Sequence, residues 1–189
     1  MSKKIGVLCI LCVMLTMNLF AQGQDKKNII GFGAGFSPSY DYDVWVGDPA
    51  YIWITRNPGP VIQTYYARQV RDALRLGVYL EYEHTTFKSF DNKASRFNIG
   101  FNWLSQYPNT AFHAQLGGYI GLGSVIASEW DKALNGTDMG IMIGPAYEKD
   151  NIGIALHMQY GKGYYKTSGT DIEVGMAIAR FLLKVYYKF

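Results

Sequence analysis

The last nine residues, Phe181-Leu182-Leu183-Lys184-Val185-Tyr186-Tyr187-Lys188-Phe189, decide the fold. Phe181, Leu183, Val185, Tyr187 and Phe189 recur at every second position. Lys184, Tyr186 and Lys188 stand between them, with Leu182 as the one apolar intruder. A period of two sends successive side chains to opposite faces of a strand. Chain ends commonly fray unless pairing holds them, so a terminus with this alternation is expected to lie inside a paired sheet.

The same rhythm extends back along the chain. Ile30, Phe32, Ala34 and Phe36 alternate with Gly31, Gly33 and Gly35 over 28–37. A second strand is expected over 61–70, its phase ambiguous. A third, over 74–83, sets Leu74, Leu76, Val78, Leu80 and Tyr82 against Arg75, Gly77, Tyr79, Glu81 and Glu83. A fourth opposes Phe97, Ile99, Phe101 and Trp103 to Arg96, Asn98, Gly100 and Asn102; a fifth runs over 112–122. A sixth (139–148), a seventh (152–161) and the terminal strand make eight, and no helical stripe competes.

Connections alternate in length. Those at 70–73, 105–110 and 149–151 are short and rich in Asp, Asn and Pro, whereas 37–60, 84–95, 127–138 and 162–171 are long. Short turns at one end and long loops at the other organise a transmembrane β-barrel, and an even strand count puts both termini on the short-turn side. Arg at the bilayer midplane costs about 2–4 kcal/mol, so Arg75, Glu81, Glu83 and Arg96 are assigned to the interior. Phe36, Tyr82, Phe97 and Tyr160 towards the loops, and Trp103, Phe112, Tyr147, Tyr187 and Phe189 towards the turns, read as two interfacial girdles. A soluble calyx shares the strand count, but it should show a charged outer face; here the polar face is largely Gly, Asn, Gln and His.

The amino-terminus supplies an address. Lys3 and Lys4 precede an apolar run, Ile5–Met17, and a small-x-small site at Ala21/Gly23, the pattern of a cleaved signal peptide over residues 1–23. The barrel domain is then 24–189. Cys9 and Cys12 leave with the leader, so neither disulfides nor thiolate metal sites are expected, and no cofactor. Of 18 basic residues, loss of Lys3 and Lys4 leaves 16 against 15 acids, too balanced for a nucleic-acid binder. Charged residues are only 17% of the chain, against about a quarter in soluble domains.

Signal peptide, strand rhythm and the terminal Phe189 together resemble the small OmpA/OmpX-type eight-stranded outer-membrane proteins. The resemblance implies an all-β, antiparallel, up-and-down transmembrane β-barrel in the cell outer membrane. It further implies a last strand read by the barrel-assembly machinery, and the protein is expected to be a monomer surrounded by outer-membrane lipid. It implies no activity. Some relatives modify lipid A through a His-x-Ser pair; the nearest matches here, at His113 and His157, carry Gln in place of the nucleophile. Palmitoyl-transferring relatives carry a helix before the first strand, and 24–28 is too short for one. A lipid-modifying enzyme and a narrow channel stay as alternatives. The interior cluster of Arg75, Glu81, Glu83, Arg96, His113 and His157 is expected to be packing, because eight strands enclose only enough room for side chains.

Function is expected at the long hairpins. The first has its tip near Asp48-Pro49 and the last near Gly169-Thr170, and closure makes them neighbours. Together they would form a one-sided β wall above the rim bearing Tyr40, Tyr42, Trp45, Trp53, Tyr164 and Tyr165, suited to an extracellular protein or glycan ligand. Within the last strand the apolar phase changes, from Ile172, Val174, Met176 and Ile178 to the odd positions 181–189. A bulge near Ala179-Arg180, or a new environment, would explain it.

Overall fold

A computed structural model describes residues 28–46, 51–88, 93–106, 110–128, 132–167 and 172–189. The leader with its cleavage site and the two hairpin tips lie outside these residues. The described residues form ten strands: β1 (Asn28–Ser37), β2 (Tyr40–Val46), β3 (Tyr51–Arg56), β4 (Gly59–Arg71), β5 (Leu74–Thr86), β6 (Lys93–Gln106), β7 (Phe112–Ala127), β8 (Leu134–Lys149), β9 (Ile152–Lys166) and β10 (Ile172–Lys188). Each of β1 and β4–β10 pairs antiparallel with its neighbour, and β1 pairs with β10 to close an eight-stranded barrel. Closure removes the sheet edges that a bilayer would not tolerate.

The terminal strand is held on both sides. Phe32 faces Val185 across β1–β10, and Ile154 faces the same residue across β9–β10. Asn28 and Phe189 exchange backbone hydrogen bonds of 2.7 and 2.8 Å, so pairing reaches the last residue. At the short-turn end, Asp150-Asn151 joins β8 to β9, and Asp150 has a φ of 54°, a conformation its short polar side chain tolerates.

Outward positions form the expected apolar belt. Ile30, Phe32, Leu80, Ile99, Leu116, Ile120, Ile141, Leu156 and Leu183 are all exposed, as are the girdle residues Phe36, Phe97, Tyr160, Trp103, Phe112, Tyr147, Tyr187 and Phe189. A continuous belt of this kind is built for hydrocarbon rather than water. The undecided strand has its phase set: in β4, Val61, Gln63, Tyr65 and Ala67 are buried, while Ile62 and Thr64 face out.

Abundant Tyr and Gly have a shared cause. Lumen-facing Gly31, Gly100 and Gly153 stand where the rings of Tyr65, Tyr79 and Tyr186 press against the wall. A Cβ there would fall 2.4, 2.5 and 2.1 Å from those rings. Each glycine is the direct cross-strand neighbour of its tyrosine, so the ring lies over a position that carries no side chain.

In β10 the pairing with β9 runs without interruption from Glu173↔Lys166 to Tyr187↔Ile152, so no bulge lies at Ala179-Arg180. The irregularity sits on the partner. β1 keeps one register with β10 up to Phe36↔Phe181, and β2 resumes one residue out of step at Tyr42↔Met176. Pro38 lies in the gap and has no N–H to donate to a ladder. Even-numbered residues of β10 from Val174 to Lys188 therefore point inward, and what changes is the character of the interior.

Candidate functional site

Two regions bring chemistry-bearing residues together: the lumen and the raised sheet at the long-loop end. In the lumen, Arg96 donates to Glu81 at 2.5 Å and pairs with Glu83 at 3.0 Å and with Asp138. Arg180 lies 2.8 Å from Glu81, 3.5 Å from Glu83 and 3.4 Å from Asp138. Arg56 completes the group with a salt bridge to Glu83. Three guanidiniums thus meet three carboxylates, the balance that buried charge requires. Gln63 donates to Glu81 at 2.9 Å and Asn98 to Asp138 at 2.7 Å, satisfying further lone pairs.

Nearer the short turns, Arg75 meets Glu148 at 2.5 Å and Lys188 meets it at 2.7 Å, with the Tyr186 hydroxyl donating to the same carboxylate. Between the two ionic groups lies a layer of Tyr65, Tyr79, Tyr119 and Met142. Lys184 places its ammonium 5.0 Å from the centre of the Tyr65 ring, a cation–π contact. His157 bonds Gln115 at 2.7 Å, and His113 sits 3.3 Å from the Thr110 carbonyl and 3.7 Å from Glu148. Arg180, Tyr119, Lys184, Met142, Leu182 and His157 are fully buried. This is a filled interior.

Of the six lumen residues proposed from sequence, Glu81, Glu83 and Arg96 share one cluster, and Arg75 and His113 belong to the lower one. His157 stands in the middle layer. Sequence reasoning missed Arg56, Asp138, Glu148 and Arg180. His84 has a partner that spacing did not reveal: its Nδ1 lies 3.1 Å from Ser95 Oγ across β5–β6, and the Tyr82 hydroxyl lies 3.2 Å from the same Oγ. An imidazole and a hydroxyl meet there. The carboxylate that would orient the imidazole is not among their hydrogen-bond partners in the described residues.

At the long-loop end the barrel wall continues upward. β10 exchanges its partner from β1 to β2, Val174 facing Val44, and β2 carries β3 through Tyr42↔Ile54 and Trp45↔Tyr51. Tyr40, Tyr42 and Trp45 lie along β2 and Trp53 along β3, one strand away from the upper half of β10. Tyr164 faces outward and is 60% exposed. Tyr165 does the opposite: it is buried, and its hydroxyl accepts from Arg96 at 3.5 Å, so it belongs to the interior and not to the surface set. Around Tyr165, the residues Ala94, Val125, Ala127, Leu134, Val174, Met176 and Ile178 form an apolar cap inside the barrel. The base of β3 is tied across to the β5–β6 loop by Asn57 N–H to the Thr86 carbonyl and Lys88 N–H to the Thr55 carbonyl, 2.8 and 2.9 Å. Higher up, β3 ends the sheet order, and among the described residues its only ladder neighbour is β2.

No family model matches the chain, and no curated protein matches its sequence. Solved structures match its shape. Neisserial surface protein A superposes with a TM-score of 0.57 at 13% identity, covering 86% of this chain and 97% of that one. The N-terminal β-barrel domain of Pseudomonas aeruginosa OprF gives 0.53 at 13% identity, over 89% of this chain and all of that domain. At such identity the likeness is one of fold: the chain is a small eight-stranded β-barrel with the architecture of outer-membrane proteins.

Proposed function

We propose that this protein is an integral outer-membrane barrel that binds an extracellular protein or glycan through the sheet raised above its long-loop rim. One observation carries the reading: β10 outlasts its pairing with β1 and continues upward to hold β2, which in turn holds β3. A sheet extended beyond the lipid belt is unnecessary for spanning, and it ends in a strand whose upper edge has no ladder partner beyond β2 among the described residues, which suits strand addition. The filled lumen supports binding over conduction, and the absence of a nucleophile at the His113 and His157 spacings supports binding over lipid modification. The protein acts as a monomer, inserted by the barrel-assembly machinery through the strand ending at Phe189.

The test shortens the hairpin without touching the lumen. Residues 42–54 are replaced by Asn-Gly between Asp41 and Thr55, which face each other in the ladder, leaving the Arg56–Glu83 pair in place. Attachment of cells displaying either form to immobilised matrix proteins and glycans is then compared. Heat-modifiable migration should persist while attachment is lost; undiminished attachment by the shortened form would remove the proposal.

A further inference from the structure

Two grooves on the outer wall join end to end. The first, of about 850 Å³, passes from Ile62 and Thr64 on β4 along Leu80, Phe97 and Leu122 to Asn135 and Thr137 on β8. The second, of about 660 Å³, begins at the same Asn135–Thr137 segment and continues past Tyr164 and Lys166 to Glu173 on β10. They follow one cross-strand row: Thr64 faces Leu80, Leu80 faces Ile99, Ile99 faces Leu122, Leu122 faces Thr137 and Thr137 faces Tyr164.

The row climbs. The adjacent row, started at Ile62, runs through Tyr82, Phe97, Ser124, Asn135, Lys166 and Glu173 and comes back on the first hairpin at Trp45, opposite Tyr51. Tyr51 is eleven residues nearer the loops than Ile62, the stagger that strand tilt imposes on a closed barrel. The groove therefore starts in the loop-side part of the apolar belt and rises out of it, and its lining changes in step. Leu80, Ile99 and Leu122 give way to Asn135, Thr137, Tyr164 and Lys166.

The apolar half is walled by the Tyr82 and Phe97 rings, whose centroids lie 4.8 Å apart. In the polar half, Ser124 donates to Asn135 Oδ1 at 2.7 Å, which leaves the Asn135 amide N–H groups to donate elsewhere. Lys166 faces Glu173 across β9–β10, and Lys162 lies two outward steps below Lys166 on β9, so the outward face there carries two exposed ammoniums and one carboxylate. A surplus of cations and neutral donors directly above an apolar trough matches one kind of molecule.

We propose that this groove holds one membrane lipid with a phosphorylated headgroup. Its acyl chain lies along Leu80, Ile99 and Leu122, and its phosphate accepts from Lys166, Thr137, Tyr164 and Asn135. The strands of the floor are paired on both sides, so a peptide has no edge to add to here; an amphiphile needs none. Basic residues at the bilayer surface favour anionic headgroups.

Native mass spectrometry of the mature, detergent-solubilised barrel tests it, with dipalmitoyl phosphatidic acid, dipalmitoylglycerol and inorganic phosphate as separate probes. Phosphatidic acid should be retained one to one, and the other two should not. Lys166→Ala should weaken retention about fivefold, the effect of one cation at a membrane surface. Leu122→Trp, which fills the trough, should weaken it further. Ile152→Trp, in the separate groove beside Val185 and Tyr187, should leave it unchanged. Equal retention of dipalmitoylglycerol, capture of inorganic phosphate alone, or an unchanged Lys166→Ala variant would each overturn the assignment.

Discussion

Below the rim and above it, the same strands solve opposite problems. In the belt, β9 turns Ile154, Leu156, Met158 and Tyr160 outward and β10 turns Arg180, Lys184 and Lys188 inward. A few residues higher the assignment reverses. Lys162, Lys166 and Glu173 are exposed, while Val174, Met176 and Ile178 are buried in the cap. Neither strand changes register to achieve this. The medium outside decides: hydrocarbon takes the apolar face in the lower part, and water at the top sends that face inward, as in any soluble sheet. Tyr165 and Arg96 meet at the seam between the two regimes.

The comparison can be broken most forcefully from inside the lower part. Arg96 touches Glu81, Glu83 and Asp138. Arg96→Ala leaves three buried carboxylates with only Arg180 and Arg56 opposite them. Breaking a buried ionic group by removing one partner costs about 3–5 kcal/mol, and the loss should appear as a lower urea midpoint in lipid vesicles. A midpoint within error of the parent would mean that water reaches the cluster and that the interior is not sealed.

Outside the lower part, the sharpest probe is Ile120, in the middle of β7 between Phe101 and Met139. Ile120→Arg sets a cation in the centre of the belt and should cost about 2–4 kcal/mol, again read as a urea midpoint in vesicles. Little or no loss would contradict the lipid-facing assignment itself.

Much of this was legible in the sequence, and the gaps have physical causes. The strands 74–83, 96–103 and 112–122 alternate cleanly, so their inward charges could be named at once. β4 could not be phased, because its Thr64-Tyr65-Tyr66 run suits either face. Asp138 was missed because the strand expected over 139–148 begins in fact at Leu134. Arg180 was obscured by an apparent change of phase that belongs to the interior rather than to the strand. Arg56 falls within the long connection 37–60, yet its guanidinium reaches back to Glu83. The ion cluster as a whole draws on β3, β5, β6, β8 and β10, and that assembly follows from the stagger of a closed barrel, which no local pattern announces. Tyr164 and Tyr165 teach the reverse lesson: neighbours in a strand face opposite ways, so the two could never have served one surface together.

The finest test concerns where the seam lies. Ile126 is an outward apolar residue, 49% exposed, six positions above Ile120 on the same face of β7. Taken alone it looks like belt. Its surroundings say otherwise: Ser124 precedes it on that face, Ser95 faces it on β6, and the inward residues on either side, Val125 and Ala127, belong to the apolar cap. If the reversal lies between Leu122 and Ser124, Ile126 stands in water or headgroups. Ile126→Arg should then cost only about 0–1 kcal/mol, the value for a cation near the interface. Measured beside Ile120→Arg on one strand, in one vesicle preparation, the pair converts a structural boundary into an energy difference. A loss at Ile126 as large as that at Ile120 would raise the belt past the cap, and the apolar interior at the top could no longer be explained by water outside it.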